Sequence, residues 1–153
     1  MTPRGKRSRK QSGASSIDAR RLSQAVFYLD ESIFSRVLLD AMHTAGASVR
    51  RVGVDVPYGS PDQVWLSAAG AQGWIVLTRD QRIRRRPLEL AALRAAGVAA
   101  FAFTVGEATA QDTAAAIVPQ LVKFANMATS EPRPFLYTFG RSGRLSRANL
   151  KRP

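Results

Sequence analysis

Apolar positions in this chain fall into short continuous runs separated by stretches of helical period. Ala25-Val26-Phe27-Tyr28-Leu29 runs unbroken up to Asp30, the pattern of a strand buried on both faces of a parallel sheet. The period then changes: Ile33, Val37, Leu38 and Met42 recur at helical spacing until Gly46, which predicts a helix and its stop. A second strand is expected over 48–56, followed by a loop at Pro57-Tyr58-Gly59. Ser60-Pro61-Asp62 reads as a helix start, with a serine cap, a proline where no amide donor is needed and an acid facing the positive end of the helix dipole. Val64, Trp65, Ala68 and Ala69 would form the buried face of that helix and Gly73 would end it. The run 74–78 predicts the next buried strand, closing at Arg79-Asp80. An arginine-rich loop then leads to Pro87, which opens a helix to about Ala96 and Gly97. Residues 98–104 predict another strand, and 109–128 a longer helix kinked at Pro119. Strands alternating with helices imply an α/β fold, a doubly wound parallel sheet flanked by helices. One domain is expected over 25–130, between a disordered basic extension at 1–24 and a basic segment at 131–153 that forms either a hairpin or a tail ordering on a partner.

Charge sharpens that division. The formal net charge is +12. Residues 1–24 hold seven Lys or Arg and one acid, and residues 131–153 hold six and one, leaving ten bases against nine acids between them. A nearly neutral body with basic ends suits salt-sensitive, sequence-blind attraction to a polyanion, and equally suits solubilising ends or an acidic protein partner. The chain has no cysteine and one histidine, His43, so thiolate metal sites, cysteine nucleophiles and multi-histidine sites are excluded. No apolar stretch is long enough to span a bilayer, and MTPRGKRSRK leads into QSGASSIDAR rather than into the apolar segment of a secretion signal. A cytoplasmic protein without membrane partners is the expectation.

Open parallel sheets bind ligands beyond the carboxyl ends of their strands. Asp30 closes the first strand, Asp80 closes the strand before the arginines, and Asp62 begins the helix leading into that strand. If the two strands are neighbours, the three carboxylates converge and repel one another unless a cation is present. Hard oxygen donors favour Mg²⁺ or Mn²⁺, and such a site supports phosphoryl cleavage with no covalent residue. Arg82, Arg84 and Arg85 would hold flanking phosphates, joined by Arg79 and Arg86, and Tyr58 or Trp65 would stack on a base. Each acid also has a structural explanation: Asp62 as a dipole partner, Asp30 as a helix N-cap, Asp80 as a surface ion pair.

FYLDES at 27–32, GSPDQVWLSAAGAQGW at 59–74 and IVLTRDQRI at 75–83 resemble the PIN-like superfamily, with VapC-type toxin ribonucleases as the nearest functional relatives. The resemblance covers residues 25 to about 105. It implies a Mg²⁺- or Mn²⁺-dependent endoribonuclease acting on RNA, silenced by a cognate antitoxin protein, with homodimerisation expected. It also implies that Asp30, Asp62 and Asp80 bind metal, with Glu31 as a supporting or fourth acid. PIN nucleases commonly present four acids; after Asp80, Glu107 and Asp112 are candidates by position alone.

Two other classes fit less well. A receiver-like phosphoacceptor expects a lysine after the last strand, where Thr104-Val105-Gly106 stands, and a dinucleotide-binding domain expects a glycine-rich turn where Asp30-Glu31-Ser32 stands. The rival that remains is a non-catalytic nucleic-acid- or protein-binding module on a PIN-like scaffold.

Overall fold

The computed structural model describes residues 16–151. A six-stranded sheet, ordered β2-β1-β3-β4-β5-β6, forms its middle layer. The strands are β1 (Val26–Leu29), β2 (Ser48–Arg51), β3 (Ile75–Thr78), β4 (Ala99–Phe103), β5 (Phe135–Phe139) and β6 (Leu145–Arg147). All neighbours are parallel except β5 and β6, which pair antiparallel. Residues 16–24 are helical (α1). The other helices are α2 (Arg36–Thr44), α3 (Asp62–Gln72), α4 (Pro87–Ala96), α5 (Ala110–Ile117) and α6 (Leu121–Ser130).

Period-two alternation in the strands divides the core between the two faces. Phe27 and Leu29 of β1, Ile75 and Leu77 of β3, Phe101 and Phe103 of β4 and Phe135 and Phe139 of β5 point to one side, where Leu38, Met42, Ile117 and Phe124 of α2, α5 and α6 cover them. Phe101 and Phe124 stack there at 3.9 Å between ring centroids. Tyr28, Val76, Ala100, Ala102 and Leu136 point to the other side, under Trp65, Leu66 and Ala69 of α3 and Leu93 of α4. Tyr28 is held between Trp65 and Trp74, with centroids 5.8 and 5.5 Å away.

Glycine and proline set several boundaries as the sequence implies. Gly73 and Gly97 take left-handed conformations at φ 72° and 66°, ending α3 and α4. Pro119 lies in a turn of 3₁₀ helix over Val118–Gln120, so the expected kinked helix is two helices, α5 and α6. Other boundaries move. Helix α2 starts at Arg36 because Ser35 Oγ caps the Leu38 amide; Asp30 is not its N-cap. The second strand is regular only to Arg51, beyond which Val52 and Val56 form an isolated bridge. Ser60 does not cap α3: its Oγ donates 2.7 Å to the Pro57 carbonyl, and Pro61 takes the cap position with no side-chain bond. Within α3, Val64 is 49 % exposed and Leu66 is buried in its place.

Both terminal segments depart from the expected domain limits. Residues 16–24, placed with a disordered extension, form a helix seated by Leu22, which enters the core, and by Arg21, whose Nη1 donates 3.0 Å to Asn126 Oδ1. A single buried apolar residue leaves no period to read. Residues 1–15 lie outside the described residues. Residues 135–147 form the hairpin, and the hairpin is not an appendage: β5 pairs with β4 along its whole length, with Phe135 and Leu136 fully buried.

Candidate active site

Strand register brings the first and third acids together. Phe27 pairs with Ile75 and Leu29 with Leu77, so Asp30 leaves β1 beside Thr78, the last residue of β3, with the Asp30 amide 3.4 Å from the Leu77 carbonyl. Asp30 is 4 % exposed. Its Oδ1 accepts from the Ser32 amide and from Ser32 Oγ at 3.1 and 2.6 Å, and its Oδ2 accepts from Thr78 Oγ1 at 2.7 Å. Ser32 Oγ also accepts the Arg79 amide at 2.9 Å, and Thr78 Oγ1 accepts the Asp80 amide at 3.0 Å. Two hydroxyls therefore join the ends of β1 and β3 and fix both Asp30 oxygens. Burial pushes the Asp30 carboxyl up to about 6 against the Ser32 and Thr78 hydrogen bonds, which pull it down, while Asp62 adds to the rise.

Asp62 opens α3 as its first-turn acid, and Trp65 one turn later donates Nε1–H to Asp62 Oδ1 at 3.0 Å. Burial again raises this carboxyl, the Trp65 bond opposes the rise, and Asp80 and Glu89 reinforce it. Asp80 caps a 3₁₀ turn over Gln81–Arg85 by accepting the Arg82 amide on Oδ1 at 3.0 Å. Glu31 reaches across to the loop before α3, where its Oε1 accepts the Gly59 amide at 2.8 Å. Asp30, Glu31, Asp62 and Asp80 line one cavity of about 380 Å³, together with Ser32, Ser60 and Trp65 and an apolar wall of Val52, Val56 and Pro57.

The arginines divide by role. Arg86 Nη1 lies 2.8 Å from Asp80 Oδ2 and 3.5 Å from Asp62 Oδ2. Arg79 turns away, its Nη2 donating to the carbonyls of Val105 and Gly106. Arg82 and Arg85 are exposed, and Arg84 Nε is buried without a hydrogen-bond partner. Tyr58 is exposed while Trp65 is buried against Tyr28, so of the two only Tyr58 presents an open ring.

Glu107 and Asp112 do not line the cavity. Asp112 forms a capping box with Thr109 at the start of α5 and pairs with Arg141 at 3.5 Å. Glu89, in the first turn of α4, does not line the cavity either, but its negative charge helps to raise the Asp62 carboxyl. In the sequence it reads as an ordinary dipole partner behind Pro87. Nothing in the sequence marks Ser32 and Thr78 as site residues beyond the fact that each stands two positions from an aspartate.

The donor chemistry suits a hard divalent cation: carboxylate oxygens from three elements, a cavity large enough for coordinating water, and raised carboxyls that a cation would lower again. Among the described residues, no three acids or histidines yet close around one point. The cation already between Asp62 and Asp80 is the Arg86 guanidinium. A cation bound in the cavity would face the carboxylates of Asp30, Asp62 and Asp80.

No curated protein and no solved structure matches the chain at a significant level. A family model described as a PIN like domain matches residues 25–105, from the start of β1 through the loop after β4, and so spans every residue lining the acidic cavity. The chain therefore belongs to the PIN-like domain family, whose members are commonly nucleases and typically depend on divalent metal.

Proposed function

We propose that the protein is a metal-dependent endoribonuclease hydrolysing RNA phosphodiesters, and the toxin of a toxin–antitoxin pair. One observation carries the nuclease reading: Asp30, Asp62 and Asp80, from three elements, line a single cavity at the carboxyl ends of two adjacent parallel strands. Bound there, Mg²⁺ or Mn²⁺ would make water a better nucleophile near neutral pH and draw charge from the phosphoryl oxygens. The chain's own residues do the positioning. Ser32 and Thr78 hold both oxygens of Asp30, Trp65 holds one oxygen of Asp62, and the Arg82 amide holds one of Asp80. Glu31 keeps the 57–60 loop against the acids, so that the cavity has a wall opposite them. Exposed Arg82 and Arg85 offer cations to the phosphates flanking the scissile bond. The antitoxin, the homodimer and the choice of RNA over other nucleic acid rest on the resemblance of FYLDES, GSPDQVWLSAAGAQGW and IVLTRDQRI to the PIN-like superfamily, with VapC-type toxins as the nearest functional relatives.

A second reading, a binding module that keeps the frame without cutting, is favoured by the ion pairs that Arg86 makes with Asp62 and Asp80. One experiment separates the two. The purified protein is incubated with a mixed pool of single-stranded and structured RNA, in Mg²⁺ or Mn²⁺ and in EDTA, with Asp30→Asn and Asp80→Asn in parallel. Cleavage that requires metal and falls by roughly 100-fold or more in both variants supports the nuclease. Salt-sensitive RNA binding without cleavage, equal in all three proteins, would sink it and leave the binding module.

A further inference from the structure

Asp62 and Asp80 each divide their oxygens in the same way. The Oδ1 atoms are tied to the chain, accepting from Trp65 Nε1 and from the Arg82 amide, and Asp80 Oδ1 also lies 3.8 Å from the Nε of the exposed Arg82 side chain. Both Oδ2 atoms face one nitrogen, Arg86 Nη1, at 3.5 and 2.8 Å. These Oδ2 atoms hold the lone pairs that a divalent ion would take from this pair of acids.

The backbone delivers that guanidinium to its place. The Arg86 amide donates 3.3 Å to the Ile83 carbonyl, closing the 3₁₀ turn that Asp80 caps, and its own carbonyl accepts the Leu90 amide at 2.9 Å as the first bond of α4. Pro87 follows directly and fixes the exit of the chain. Arg86 is thus anchored at its main chain, while its side chain, held among the described residues only by the two carboxylates, is 37 % exposed. It can leave the carboxylates by rotating outward, with no rearrangement of the sheet.

We propose that Arg86 is a built-in counter-cation, which holds Asp62 and Asp80 together while no metal is bound and which a divalent ion must displace. This inference rests on reading those aspartates as metal ligands. It assigns Arg86 a role apart from that of the exposed Arg82 and Arg85: it competes with the metal and so sets the metal concentration at which the site loads. Lysine would not substitute fully, because its compact ammonium is more strongly hydrated than a guanidinium and gives up more on leaving water for the carboxylates.

Binding of Mn²⁺ to the full-length protein tests this without any reaction. Free Mn²⁺ is followed by electron paramagnetic resonance as it is titrated into the EDTA-treated, desalted wild type, Arg86→Gln, Arg86→Lys and Asp80→Asn. Tryptophan fluorescence gives a second signal, since the Trp65 indole bonds Asp62. Arg86→Gln is expected to bind Mn²⁺ roughly 10-fold more tightly than the wild type, with Arg86→Lys between them and Asp80→Asn losing binding. Equal or weaker binding by Arg86→Gln, with Asp80→Asn still deficient, would overturn the competition and leave the metal site standing. Absence of Mn²⁺ binding in wild type and Arg86→Gln alike would overturn both. If circular dichroism shows that Arg86→Gln does not fold, Arg86→Lys is judged by the same comparison with the wild type.

Discussion

The cost of building the site is concentrated in Asp30. Its carboxyl, pushed up to about 6 by burial from an ordinary value of 3.8, takes up its proton more readily in the folded chain than in the unfolded one. Between those two values the native state binds the extra proton, so this group's contribution to stability is complete below about 3.8 and is lost as pH rises through about 6. Above that pH the ionised, buried carboxylate is a liability on the order of 3 kcal/mol in the metal-free protein. Asn in its place keeps an acceptor for the Ser32 amide and offers Thr78 Oγ1 a donor, with no charge to bury. Asp30→Asn is therefore expected to raise the melting temperature of the EDTA-treated protein at pH 7.5, the gain shrinking towards zero by pH 4. Thermal melts of both proteins across that range measure it. A variant less stable than wild type at pH 7.5 would mean that the hydrogen bonds to the ionised oxygens outweigh the burial.

Helices α3 and α4 carry Asp62, Glu89 and the start of the Arg86 connection, and they meet over Gly70. A Cβ at Gly70 would strike both the Cβ and the carbonyl of Ala96, the last residue of α4. Alanine favours a helix interior over glycine by about 1 kcal/mol, yet forcing an extra methyl into a tight crossing costs roughly 1–3 kcal/mol. Gly70→Ala is expected to lower the urea midpoint on balance; an unchanged or higher midpoint would show that the two helices separate at no cost. That crossing is a product of packing, and the sequence offered no sign of it, since Gly70 reads only as a weak point in a helix. Much else at this scale was legible, for physical reasons. β1, β3 and β4 are buried on both faces and so appear as unbroken apolar runs, and Gly73, Gly97 and Pro119 act through their own backbones wherever they stand. The convergence of Asp30, Asp62 and Asp80 on one cavity followed from strand ends and a helix start. What stayed hidden depends on partners distant in the chain. Ser60 Oγ donates to the Pro57 carbonyl instead of accepting from the helix amides, and Ser32 bonds Thr78 only once β1 lies beside β3. Arg86 looks like one arginine among five until the fold sets it between two carboxylates.

The molecule as a whole extends beyond the segment its family match covers. That match ends at residue 105, while the sheet continues through β5, which runs parallel to β4 from Phe135 to Phe139. The net positive charge at the C-terminal end is not all on a loose tail, because Arg147 sits on β6 and pairs with Glu131 at 3.2 Å over the Tyr137 ring. Phe135, Leu136 and Phe139 are buried on both sides of the sheet, Phe135 edge-on to Phe101 and Phe139 edge-on to Phe124. Burying such side chains contributes roughly 1.5–3 kcal/mol each, and three of them together rival the 5–15 kcal/mol by which a whole domain is stable. Removing β5 would also expose the far edge of β4, a strand of five fully buried residues, as an unpaired apolar ladder. A chain ending at Ser130 is therefore expected to lose its cooperative thermal transition and to aggregate. One ending at Gly140, which keeps β5 and gives up the more exposed β6 together with the partly buried Ala148 and Leu150, should still unfold in a single transition at a lower temperature. Circular dichroism melts of the two truncations decide the matter: a cooperative transition in the chain ending at Ser130 would make β5 dispensable to the domain.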